Sequence, residues 1–189
     1  MIGMSASASA QEYPFGEWAS LWEQTCGSIE AAYSVIDNPE AHGWANADAS
    51  TDEMAARIIE TATLSAQGAD GANLTGLFVF RQSNTTTSAL AAYQELQFVD
   101  EPESFLLACS LYDTSAPALS TSDLARFSAE RPFVDVSNNG LTVIEWPGSA
   151  EAGRIKMTAG SIPDEHPGAK LLLGGLVLKT QYVFSKVTE

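Results

Sequence analysis

Cysteine, histidine and positive charge are all scarce in this 189-residue chain, and each scarcity excludes something. Only 9 Lys and Arg stand against 24 Asp and Glu, giving a formal charge of −15 and a pI near 4.3. Such a surface repels phosphate backbones and anionic headgroups, because close approach needs cations to replace condensed counterions. Nucleic acid is therefore not an expected partner. The acidity serves solubility first, with a basic partner or a cation site as the other use. Long apolar runs are also missing. No stretch of 18 apolar residues occurs, so no helix is expected to span a membrane, and the longest run, Leu171 to Leu178, is interrupted by Gly174 and Gly175.

Signature motifs are absent as well. The sequence has no G-x-S-x-G, Walker loop, Rossmann glycine pattern, H-E-x-x-H or C-x-x-C. No cofactor is expected on that basis. What remains is a chain 45% apolar and 17% charged, of a length that buries about two-thirds of its unfolded surface. A real core is expected, with no need of a metal to make it fold.

Before the first charged residue, Glu12, stand six alternating small residues, Ser5 to Ala10. Ala6-Ser7-Ala8 and Ala8-Ser9-Ala10 both fit the A-x-A cleavage type of secretory signals, although only Met1-Ile2-Gly3-Met4 precedes them. We read residues 1–10 as a signal-peptide remnant, with a disordered polar N-terminus as the alternative, and residues 11–189 as one domain. The expected location is periplasmic or secreted. That compartment permits disulfides, which gives Cys26 and Cys109 a reason to pair. Cys26 lies on the apolar stripe of a predicted helix and Cys109 lies mid-strand in Phe105–Leu111. A bridge would contribute roughly 4 kcal/mol by chain entropy; the alternative is two buried, inert thiols.

Trp18, Leu21, Trp22, Cys26, Ile29, Tyr33 and Ile36 recur at spacings of three and four, which predicts one helix from about Glu17 to Asp37, stopped at Pro39. Ser50-Thr51-Asp52-Glu53 reads as a capping box that starts a second helix, Thr51 to Ala66, with a thinner stripe and a place nearer the surface. The period then changes to two. Strands are expected over 74–81, 91–99 and 104–112, although residues 85–96 also have helical composition. Ser120, with Asp123 and the Leu119/Leu124 pair, starts a short helix. Strands follow over 133–136 and 141–146 around the Asn139-Gly140 turn, then over 153–159 and 170–184. Helices followed by a strand meander thus occur twice, without matching residues. The order predicts an α+β fold, an antiparallel sheet of six to seven strands packed against two to three helices as a single two-layer domain.

Candidates for chemistry are few. His166 lies in a polar loop beside Asp164 and Glu165, and His42 lies after the first helix; together they are the candidate acid/base set of a small hydrolase. Asn46, Asp48 and Asp52 alternate as in the first half of a calcium loop, but Thr51 stands where the turn glycine belongs and Arg57 where the bidentate Glu belongs. Trp18, Trp22, Trp44 and Trp146 fit a core better than a pocket. The expectation is an exported, non-catalytic binding or accessory protein. It would hold a small ligand or protein on a sheet face or helix–sheet groove, with the hydrolase as the alternative.

Overall fold

Strand alternation builds the molecule. In the computed structural model, which describes residues 13–68, 70–82, 89–149, 153–163, 165–167, 169 and 174–186, eight strands form one antiparallel sheet. They are β1 (Trp44–Asn46), β2 (Ala72–Gln82), β3 (Ala89–Phe98), β4 (Ser104–Asp113), β5 (Val134–Asn138), β6 (Leu141–Ser149), β7 (Arg154–Ile162) and β8 (Gly175–Ser185). Their order across the sheet is β1-β2-β3-β4-β8-β7-β6-β5. Each half is a four-strand meander, and the last strands of the two halves pair at the centre, with Cys109 opposite Thr180. Residues 89–98 are strand, which resolves the ambiguity of that segment for the part described.

Among the described residues four α-helices accompany the sheet: α1 (Phe15–Cys26), α2 (Ile29–Asp37), α3 (Glu53–Gln67) and α4 (Thr121–Leu124). The single helix expected over 17–37 is broken at Gly27-Ser28. Glycine is a poor helix residue, and Ser28 restarts the chain as an N-cap whose side chain accepts from the Ala31 amide at 3.1 Å. The expected stop holds, since α2 ends at Asp37 before Pro39. The cap of α3 is also corrected. Asp52, not Ser50, accepts from the amides of Met54 and Ala55, while the Ser50 hydroxyl donates to Asp48 at 2.7 Å. Ser120 and Asp123 do form their capping box on α4, whose single turn passes into a 3₁₀ turn.

The strand count exceeds the expected six to seven because β1, only three residues long, adds an edge. The two-layer expectation fails for a reason visible in β2 and β3. Phe80, Ala91 and Tyr93 point to one face and join the main core with Trp18, Trp22 and Val35. Their neighbours Val79, Leu90 and Ala92 point to the other face and pack on Ala55 and Ile58 of α3. Helices therefore lie on both sides.

The main core is tied at the end of α1. Cys26 and Cys109 are disulfide-bonded, joining that helix to the central strand β4. The Tyr93 hydroxyl donates to the Thr25 carbonyl at 3.2 Å, and the Tyr182 hydroxyl donates to the Cys26 carbonyl at 2.5 Å. These satisfy helix-end carbonyls that the break would otherwise leave without partners. Trp22 Nε1 donates to Thr180 Oγ1 at 3.0 Å. All four tryptophans are buried in this core rather than lining a pocket.

Gly140 and Gly175 are among the positions whose backbone requires glycine. Asn139 and Gly140 both have positive φ, 51° and 86°, as the tight β5–β6 turn demands. Gly175 has φ 94°, and a Cβ there would lie 2.1 Å from the Asp113 carbonyl oxygen. The last strand is described from Gly175, and its expected start at residue 170 lies outside the described residues.

Candidate functional site

On the second face, α3 packs chiefly on β2 and β3. Beside it the strands β4, β8, β7 and β6 leave a trough, and the angle between helix and sheet encloses a cleft of about 300 Å³. Ile58, Thr61, Ala62 and Ser65 of α3 form one wall. The floor is mostly small or branched apolar side chains, among them Ala92, Ala108, Val143, Ile162 and Val177, with Gly160 deepening the middle. Gln94 Nε2 donates to the Ala62 carbonyl at 3.0 Å and fixes the helix against β3. From the far side, the Ala169 carbonyl accepts from Arg57 Nη2 at 3.4 Å, bringing the β7–β8 connection to α3.

Three of the polar groups in this cleft share one line across the sheet. Ser110 of β4, Lys179 of β8 and Thr158 of β7 are direct cross-strand partners, and all three side chains line the cleft. Burial holds the Lys179 ammonium below the usual lysine range, and the charge of Lys156 pushes the same way. Burial raises the Tyr112 phenol, with a hydrogen bond from Ser110 opposing it. Among the described residues, no histidine, aspartate or glutamate lines the cleft. The arrangement suits holding a molecule with an apolar body, with hydroxyls, one amide and one ammonium to orient it.

The candidates read from the sequence lie elsewhere. His42 Nε2 is 2.8 Å from Ser34 Oγ on the exposed side of α2, and neither residue lines a cleft described here. His166 sits in a turn, its amide donating to the Pro163 carbonyl at 2.9 Å and its carbonyl accepting from the Ala169 amide at 2.8 Å. Glu165 is exposed beside it, and Asp164 lies outside the described residues. Asn46, Asp48 and Asp52 do meet, lining an open polar cleft between β1 and the start of α3. Each of the two carboxylates there already has partners. Asp48 accepts from the Ser50 amide and hydroxyl, which hold it below the usual carboxylate range; Asp52 caps α3 and pairs with Arg81 at 2.7 Å. Among the described residues, no three His, Cys, Asp or Glu side chains converge as metal ligands would.

Lys179 is the residue that sequence reasoning passed over. Its signal was present in Leu176-Val177-Leu178-Lys179-Thr180, where a lone cation falls at an alternating position of an otherwise apolar strand. Comparison with protein-family models, curated proteins and solved structures found no match. No helix of the described residues is long and apolar enough to cross a membrane.

Proposed function

We propose that the chain is a non-catalytic binding protein of an oxidising, extracytosolic compartment, and that it holds a small molecule in the cleft between α3 and the sheet. The observation that carries this reading is the cleft itself, enclosed by a helix and an apolar sheet face, with convergent polar groups and, among the described residues, no acid/base cluster. The Cys26–Cys109 bond is compatible with export and supports that part of the proposal.

A screen of small apolar molecules by thermal shift tests the site. Ala62 lines the cleft from α3, so Ala62→Phe fills it while leaving the backbone carbonyl to Gln94. Compounds that raise the melting temperature of the parent are expected to lose that effect on Ala62→Phe. Equal shifts in both proteins would place binding elsewhere and remove the basis of the proposal.

A further inference from the structure

Of the eight described cations six have a neighbour that accounts for them, and Arg131 is exposed to solvent. Arg81 pairs with Asp52, Arg154 with Glu130, Lys156 with Glu145 and Lys186 with Glu95. Arg126 lies over the Phe15 ring at 4.1 Å, and Arg57 donates to the Ala169 carbonyl. Lys179 differs. It projects into the cleft, and among the described residues no carboxylate lies within ion-pair distance of it, in a chain that carries 24 of them. A half-buried ammonium is costly unless something compensates it. The nearby carboxylate of Glu145 is already engaged, accepting from Lys156 Nζ at 2.8 Å and from Thr158 Oγ1 at 3.3 Å.

We infer that the ligand of the cleft is a small amphipathic carboxylic acid, its carboxylate on Lys179 beside Ser110 and its apolar body between Ile58, Ala92 and Val177. This assignment rests on the cleft being a binding site. The charge supports an anion because no described carboxylate lies within ion-pair distance of Lys179, and such a ligand brings one. The lining supports an apolar remainder. The cleft volume of about 300 Å³ suits a small ligand with a short apolar body. The net charge of −15 argues against long-range attraction of an anion, so recognition is local to Lys179 and screened beyond about 8 Å at physiological salt.

Octanoate, octanol and octylamine share one apolar tail and differ in the head, so calorimetric titration of each into the full chain separates the two claims. Octanoate is expected to bind the parent about tenfold more tightly than octanol, with octylamine weakest. Lys179→Met, which keeps the length and loses the charge, is expected to abolish the preference for octanoate and retain octanol binding; Lys179→Gln repeats the comparison if the methionine variant folds poorly. Octanol binding as tightly as octanoate, or an octanoate affinity unchanged in Lys179→Met, overturns the carboxylate assignment and leaves the cleft as a binding site. Failure of both ligands to bind the parent, or octanoate binding Ala62→Phe as well as the parent, overturns both.

Discussion

Reducing the Cys26–Cys109 bond should cost this fold a large share of its stability while leaving its native structure in place. The bond joins residues 83 apart in sequence, and closing a loop of that length removes about 4.5 kcal/mol of denatured-state entropy in the chain-entropy model. For a chain of this size each kcal/mol moves the midpoint by about 2–4 °C, so the reduced protein should melt about 9–18 °C below the oxidised one. The loss should not loosen α1 at room temperature. Its end is also held by the hydroxyls of Tyr93 and Tyr182 and by the Trp22 indole, each contributing about 1 kcal/mol, and Trp18 and Trp22 are buried beneath it. The assay is urea and thermal unfolding with and without a phosphine reductant, followed by tryptophan fluorescence. The double variant Cys26→Ala/Cys109→Ala serves as a reductant-free control. A reduced midpoint within about 3 °C of the oxidised one would refute the entropic argument. A red shift of the native emission on reduction would refute the claim that the non-covalent ties suffice to seat the helix.

Other expectations follow from single side chains. Tyr182→Phe leaves the Cys26 carbonyl buried without its donor and should lower the urea-unfolding free energy by about 1–2 kcal/mol. Asp52→Ala removes both the α3 cap and the Arg81 pair and should cost about 1–2 kcal/mol in the same assay, with helix content reporting the change at α3. Glu95 is pushed up by burial, but donors from Lys186, Tyr33 and Thr75 outweigh this and hold it below the usual glutamate range. A carboxylate with a depressed folded-state value contributes stability that is present above the unfolded value, about 4.3, and is lost as pH falls through the folded one. Melting temperature against pH should therefore fall less steeply below about pH 4.3 in Glu95→Gln than in the parent; parallel curves would dismiss Glu95 as a contributor to acid sensitivity.

Much of the architecture was legible in the sequence because period-two alternation is a local signal. The hairpin at Asn139-Gly140, the switch to strands expected at residue 74 and found at residue 72, and the pairing of Cys26 with Cys109 all rest on residues whose neighbours in sequence reveal their setting. The break at Gly27-Ser28 was hidden because Tyr33 and Ile36 continue the spacing of Trp18 and Trp22 across it. At three residues, β1 is too short for any period to show. The side of the sheet taken by α3 was not readable either. Alternation shows that Val79 and Phe80 point opposite ways, yet not which helix will meet each face. The cleft is invisible for the same reason, since Ile58, Ser110, Thr158 and Lys179 come from four elements brought together only by the topology. His42 and His166 stand beside carboxylates in loops, whereas the cation of the cleft is a lone lysine within a strand.

The pairing of β4 with β8 sets an order of events during synthesis. On the ribosome, β4 is complete roughly 60 residues before β8 begins, an interval of about 3–12 s at ordinary elongation rates. Throughout it the central strand has one bare edge, a template for any other extended chain. The crosslink lies wholly within the half that is made first, as do α1, β3 and the Tyr93 tie to Thr25. In an oxidising compartment the N-terminal meander can thus be locked to its helix before its final neighbour arrives, leaving β8 to dock onto an edge already held in place.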